Sequence, residues 1–249
     1  MRTRAFVGVV SLIAVSAPLA PAQDATPVAF GTYFRCSEAT EARADEIYKE
    51  LIEPAIEKQK EAGHLTAHGW GRHWMGGDWR RIGYIVAPDV GSLVAARNGY
   101  FEAITGENAN ALDEFNSICS SHDDYIWRAV TGSQQPAEVG TERAPVGMST
   151  YFECGPAEAE ADAIVGAAFA AVMNKHVEEK KIGTWSWMRH MAGGEYRRAL
   201  IFDGADHTSV LEYWGQLVAA LNESHPFAWQ RFREACPSHT DYVWDLGTN

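Results

Sequence analysis

The sequence predicts an α+β protein made of two tandem copies of one unit, each with the element order β-α-β-β-α-α-β. Three recurrences carry that reading. Cys119-Ser-Ser-His122-Asp-Asp124-Tyr125-Ile-Trp127 returns near the C-terminus as Cys236-Pro-Ser-His239-Thr-Asp241-Tyr242-Val-Trp244. Thr32-Tyr33-Phe34-Arg-Cys36 returns as Thr150-Tyr151-Phe152-Glu-Cys154, and Trp70-Gly-Arg72-His73 returns as Trp187-Met-Arg189-His190. Three matches in one order mark an internal duplication.

Each element follows from local pattern. The Thr-Tyr-Phe stretches are short, aromatic and bounded by loop residues, which predicts first strands. Ala44, Ile47, Tyr48, Leu51 and Ala55 recur at helical spacing within 38–62, mirrored by Asp162, Val165, Gly166, Phe169 and Met173, so a long amphipathic helix follows each first strand. Pro54 is expected to kink the first copy, since its ring removes a backbone donor. Near Gly63 and Gly183 one residue is lost and the offset between copies falls from 118 to 117, as a tolerated loop deletion would give.

The next match runs from Trp70 to Arg81 against Trp187 to Arg198. Aromatic and apolar runs flank Gly76-Gly77-Asp78 and Gly193-Gly194-Glu195, which predicts a β-hairpin in each copy. The returning strands stop at Asp89 and Asp206. Helical spacing resumes over 90–104 and 208–221, a shorter helix follows, and the Tyr-x-Trp motifs supply the last strands. Residues 131–146 are polar and carry Pro136 and Pro145, so they read as a linker between unit 1 (28–130) and unit 2 (147–247).

Arg2 and Arg4, the apolar run from Ala5 to Ala20 and the Ala20-Pro21-Ala22 site have the pattern of a secretory signal peptide over 1–22, cleaved after Ala22. The alternative, a membrane anchor, conflicts with a run shorter than the ~20 residues that span a bilayer. Export to the periplasm or beyond is therefore expected, with no membrane association after cleavage. The whole chain has net charge -12, and losing two arginines and no acids takes it to -14. That balance argues against nucleic acid as a partner. In an oxidising compartment four cysteines read as disulfides with three possible connectivities. The repeat favours Cys36 with Cys119 and Cys154 with Cys236, each closing a long loop worth about 4 to 5 kcal/mol in chain entropy. The competing reading makes Cys119-x-x-His122 and Cys236-x-x-His239 metal ligands, but one such pair supplies only two of the four ligands a structural zinc needs.

The element order is the split βαβ arrangement of ferredoxin-like domains. With its extra short helix, the whole mature chain resembles a tandem member of the dimeric α/β-barrel superfamily, similar to antibiotic-biosynthesis monooxygenase-like domains. The resemblance implies two ferredoxin-like sheets packed face to face as one intramolecular barrel, a monomeric pseudo-dimer. Haem-binding relatives of this barrel use an axial His on a helix. Only His176 and His225 stand in predicted helices, and Lys58 and Asn108 take their places in unit 1, so no cofactor is predicted and haem is left open for one unit.

Candidate site residues come from the hairpin. By the period of two, Trp70, Arg72 and Trp74 share one strand side with His73 opposite, and Trp185, Trp187, Arg189 and Met191 share a side with His190 opposite. An Arg between aromatics suits a planar or anionic ligand held by stacking and forked hydrogen bonds. Trp70, Arg72, Trp187 and Arg189 are therefore the expected ligand-binding residues. The structural alternative has each Arg stacked on its neighbours and paired with an acid such as Glu153 or Asp124. His73 and His190 are the candidates for proton transfer, since imidazole titrates near neutrality. His122 and His239 each share a strand side with an Asp two residues on, which suits a cap at the sheet edge. There is no Gly-rich phosphate loop, no H-E-x-x-H and no G-x-S-x-G. Three functional readings follow: a binder of a small aromatic or anionic molecule, a cofactor-independent monooxygenase-like enzyme, and an interaction module with a filled barrel.

Overall fold

The structure is a computed structural model and describes residues 26–105, 108–133 and 146–246. The expected signal peptide and most of the expected linker lie outside the described residues. Unit 1 runs β1 (Val28–Arg35), α1 (Glu41–Ile47), a π turn (Tyr48–Ile52), α2 (Glu53–Glu61), β2 (Ala67–Gly76), β3 (Arg81–Ala87), α3 (Val90–Thr105), α4 (Ala109–Ile118) and β4 (Ser121–Gly132). Unit 2 repeats the order as β5 (Val146–Glu153), α5 (Glu158–Ile164), a π turn (Val165–Phe169), α6 (Ala170–Glu178), β6 (Trp185–Gly193), β7 (Arg198–Gly204), α7 (His207–Ser224), α8 (Pro226–Ala235) and β8 (Ser238–Asp245).

The π turns revise the role of Pro54. Pro54 is the second residue of α2, directly after a π turn that runs into it with helical angles at Ile52 and Glu53. The irregular turn lies ahead of it and recurs at Val165–Phe169 with no proline, so it belongs to the unit and not to Pro54. The two later helices begin on acids that cap them. Asp89 accepts from the Ser92 backbone N–H at 2.8 Å, and Asp206 with Ser209 forms a reciprocal capping box.

All eight strands close into one antiparallel barrel in the order β1-β3-β2-β8-β5-β7-β6-β4. Each unit contributes a four-stranded sheet, and β2 with β8 and β4 with β6 seal the two seams. At each seam a glycine, Gly76 or Gly193, holds a left-handed φ of +132° or +116° where a Cβ would collide with the backbone of Asp241 or Asp124. Gly is required there because the hairpin end must cross against its neighbour strand.

The period of two sorts residues into three cores. Phe30, Trp70, Ile85 and Phe115 pack under the helices of unit 1, and Phe152, Trp187, Leu200 and Phe232 do so in unit 2. The third core fills the barrel with Tyr33, Trp79, Tyr125, Trp127, Tyr151, Tyr196, Tyr242 and Trp244. Cys36 is bonded to Cys119 and Cys154 to Cys236, the pairing the repeat favours. Those sulfurs are therefore not available as metal thiolates. Among the described residues no three or more His, Cys, Asp and Glu gather to hold a metal ion, and no helix is long and apolar enough to cross a membrane.

Candidate functional site

The barrel interior is built from alternate residues of equivalent strands. From β1 and β5 come Tyr33 and Tyr151, and from β4 and β8 come Tyr125 with Trp127 and Tyr242 with Trp244. Within each strand the Tyr and Trp rings stack, at 5.0 Å and 9° in β4 and 5.1 Å and 8° in β8. Tyr33 and Tyr151 meet edge to face at 5.3 Å, a favoured quadrupole geometry. This layer closes the middle of the barrel and leaves a cavity at each end.

Hydrogen bonds thread the layer. Tyr151 Oη donates to Tyr33 Oη at 3.1 Å, and Trp127 Nε1 donates to the same Tyr33 oxygen at 3.2 Å. Trp244, the counterpart of Trp127, instead donates its Nε1 to Ser149 Oγ at 2.7 Å. The difference traces to one position: Ser149 aligns with Gly31, which has no hydroxyl to offer. Burial pushes the Tyr33 phenol well above its usual range, and burial followed by the proximity of Tyr33 does the same to Tyr151. Both stay neutral at any physiological pH and serve as hydrogen-bonding groups.

Beneath this layer, at the start of β1 and β5, lies a cavity of about 400 Å³. Its wall is mostly apolar, with Ala29, Met188, Ile201 and Trp244, and its polar groups include Tyr33, Tyr151, Ser149 and Ser186. A volume of this size with few convergent polar groups is what small-molecule sites look like. The opposite end holds a more polar cavity of about 490 Å³ roofed by the hairpin tips. There Asp123 accepts from Arg35 Nη2 at 2.6 Å and from Trp79 Nε1 at 2.7 Å. Burial alone would raise that carboxyl, but these two bonds outweigh it and hold it below the usual range.

The residues expected to bind a ligand are split up by the fold. Trp70 and Trp187 point away from the barrel, under the helices: Trp70 Nε1 donates to Asp45 at 2.8 Å and Trp187 Nε1 to Asp162 at 2.7 Å. The same carboxylates take a forked pair of bonds from Arg81 (2.6 and 2.8 Å) and Arg198 (2.7 and 2.8 Å). So the doubled arginines divide, with the second of each pair buried on an Asp and the first, Arg80 or Arg197, on Glu41 or Glu158 nearer the surface. Arg72 is half-buried at the β2–β8 seam with its Nε unpartnered, while Arg189 is exposed at the β4–β6 seam. Neither forms an ion pair with Glu153, Asp124 or another acid among the described residues. Arg72 and Arg189 thus lie on opposite seams, and neither borders either barrel cavity.

His73 and His190 face the inner aromatic layer from behind. The His73 ring lies 6.4 Å from Tyr242 and 6.2 Å from Trp244, and His190 lies 6.1 Å from Tyr125 and 5.9 Å from Trp127. His73 Nδ1 accepts from Arg80 Nη1 at 2.8 Å. Burial and then the neighbouring guanidinium, Arg80 or Arg197, lower the pKa of each imidazole, so both are neutral at pH 7. Their Nε2 atoms are buried without a partner. His122 and His239 stand 3.6 and 3.7 Å from Asp124 and Asp241 at the sheet edge.

His176, the haem-ligand candidate, is 8% exposed and packs edge-on against Tyr213 at 5.0 Å, and Tyr213 in turn packs against Phe202 at 4.9 Å. His225 caps α8. Buried against Tyr213, the His176 ring has no open face for a macrocycle, so the arrangement does not fit a haem there.

Asp45, Asp162, Ser149 and the Tyr33–Tyr151 pair carry no functional motif in the sequence. The tyrosines stand in a repeated string, and alternation puts Tyr33 and Tyr151 on the strand side opposite Phe34 and Phe152, without saying which side faces the barrel.

With this geometry the fold class is settled: a single-chain dimeric α/β barrel. Solved structures agree. A candidate monooxygenase from Lactobacillus acidophilus superposes with a TM-score of 0.56 at 12% identity, over 88% of this chain and 93% of that one. An anthrone oxidase-like protein gives 0.57 at 11% identity over 90% and 92%, and a candidate chlorite dismutase gives 0.51 at 11% over 90% and 96%. In sequence, the chain matches no family model and none of the curated proteins. Identities this low establish the fold and nothing finer.

Proposed function

We propose that this is an exported protein that binds a small, flat, largely apolar molecule in the barrel cavity beneath the Tyr33–Tyr151 pair. The observation that carries the reading is the cavity itself. An aromatic wall is interrupted by buried hydroxyls on Tyr33, Tyr151 and Ser149, which suits a ring bearing one or two oxygens. A barrel that served only as a scaffold would be filled to its ends. Export is supported by the two disulfides, which persist in oxidising compartments.

A second reading, cofactor-independent oxygenation of the bound molecule, is favoured by His73 and His190. Each has a neutral ring with a buried, unpartnered Nε2. Because His73 Nδ1 accepts from Arg80, its Nε2 carries the hydrogen and can donate, whereas His190 has no such bond to Arg197 and is the one able to take a proton. Fold likeness to a candidate monooxygenase and an anthrone oxidase-like protein fits this reading without establishing it. Arg72 and Arg189, at the seams, would then serve as anion contacts beside the barrel rather than inside it.

The test is titration with hydroxylated two- and three-ring aromatics, read by quenching of tryptophan fluorescence and by Tm. Wild type should respond, and Ala29→Leu, which fills the cavity, should not. An equal response from both proteins would sink the barrel site. Product formation under oxygen, lost in His73→Gln or His190→Gln while binding stays, would select the enzyme reading.

A further inference from the structure

Unit 1 has a cavity under its helices. It lies against the unit 1 sheet, has a volume of about 150 Å³ and is walled by Phe30, Phe34, Trp70, Leu112 and Phe115. Its floor is Gly83 on β3, where an added Cβ would stand 3.4 Å from the Trp70 ring, an ordinary contact. In unit 2 the same floor position is Leu200, fully buried at 0% exposure. Leu112 is matched by Trp229, which stacks on Phe232 at 5.8 Å and 11°. The wall is not uniformly larger in unit 2: Tyr48, stacked on Trp70 at 4.3 Å, corresponds to Gly166, where Phe169 from the same π turn closes the gap against Phe232 at 4.7 Å, and Ile52, Tyr100 and Phe101 correspond to the smaller Ala170, Leu217 and Val218.

The mouth differs in charge. Arg97 on α3 lies 5.2 Å over Phe30 and 4.6 Å over Phe101, and among the described residues it has no acidic partner. Its counterpart in unit 2 is Trp214, whose ring stacks on Phe202. Where unit 2 carries Leu200, Trp214 and Trp229, unit 1 carries Gly83, Arg97 and Leu112, and its cavity has a cation at the rim. A void in a core costs stability, by lost dispersion contacts as well as lost burial. An unpaired guanidinium resting on aromatic faces is placed to take an anion by forked hydrogen bonds.

We infer that unit 1 holds a binding site, separate from the barrel cavity, for a small aromatic carboxylate whose ring enters the void over Gly83 and whose carboxylate meets Arg97. An apolar cavity of roughly 150 Å³ takes up a single benzene-sized ring, which sets the ligand's size. Register sets its direction: Arg97 lies over the Phe30 end of β1, while Asp124 lies opposite Thr32 and His122 opposite Phe34. A carboxylate is repelled from the Asp124 end and drawn to the Arg97 end.

Isothermal titration calorimetry of the full chain with benzoate, toluene and benzylamine tests this. Benzoate should bind at least tenfold more tightly than toluene, and benzylamine should not bind. Arg97→Gln should bring benzoate to the level of toluene and leave toluene unchanged. Gly83→Leu, which copies unit 2, should abolish both while circular dichroism and Tm show a folded protein. Benzoate binding that survives Gly83→Leu, or equal affinity for benzoate and toluene in wild type, would overturn the proposal.

Discussion

Tyr33 and Tyr151, equivalent residues 118 positions apart, join hydroxyl to hydroxyl at 3.1 Å in the middle of the barrel. Equivalent residues of two copies can touch only near the axis that relates the copies, so this bond marks the pseudo-twofold. The two ends of the bond are unequal. Tyr33 Oη accepts from both Tyr151 and Trp127, and Tyr151 Oη is a donor into it.

That inequality is measurable. Tyr33→Phe strands the Trp127 indole N–H and the Tyr151 hydroxyl together, and is expected to cost about 2 to 3 kcal/mol, since each orphaned buried group carries its full desolvation penalty. Tyr151→Phe strands less and should cost about 1 kcal/mol. Urea unfolding of the two variants gives the comparison, and equal losses would contradict the bonding pattern.

Asp45 anchors both Trp70 and the buried Arg81, which is 4% exposed. Asp45→Ala leaves that charge with only Glu41, at 3.3 Å. A loss of about 3 kcal/mol is expected, at the low end of the range for breaking a buried pair because one acid remains. The measurement is the shift in urea midpoint at constant m-value.

Each disulfide spans a long stretch, 83 residues for Cys36–Cys119 and 82 for Cys154–Cys236. Loop-closure entropy at these lengths amounts to about 4 to 5 kcal/mol per bridge. Cys36→Ala with Cys119→Ala should therefore lower stability by several kcal/mol, and the matching pair in unit 2 by a similar amount. Thermal unfolding of the oxidised and reduced wild type provides the reference.

His73, His190 and His176 all have pKa values lowered by burial first, and then by nearby positive charge. Such a group binds fewer protons folded than unfolded, so its contribution is fully present above the unfolded value near 6.5 and is lost as pH falls through the lower folded value. Stability should drop as pH falls below about 6.5, the unfolded imidazole value. His73→Gln with His190→Gln should flatten that slope in urea unfolding followed by pH.

Much of the architecture is legible in residue patterns. Repetition of the Tyr-x-Trp and Thr-Tyr-Phe strings exposes the duplication, helical spacing marks α1 and α3, and Cys36 beside β1 with Cys119 before β4 points to the right bridge. Local order and equivalence between copies are written along the chain, so they can be read there. What period-two alternation cannot say is which side of a strand faces the barrel, because in this fold both sides are buried, one under helices and one in the interior. Trp70 and Arg72 look like a barrel wall by composition, yet Trp70 turns to Asp45 under α1, where it lines the unit 1 cavity, and the barrel interior goes to Tyr33, Trp127, Tyr151 and Trp244. Only closure of the eight strands decides that, since it is the meeting of β2 with β8 and β4 with β6 that gives the sheet an inside.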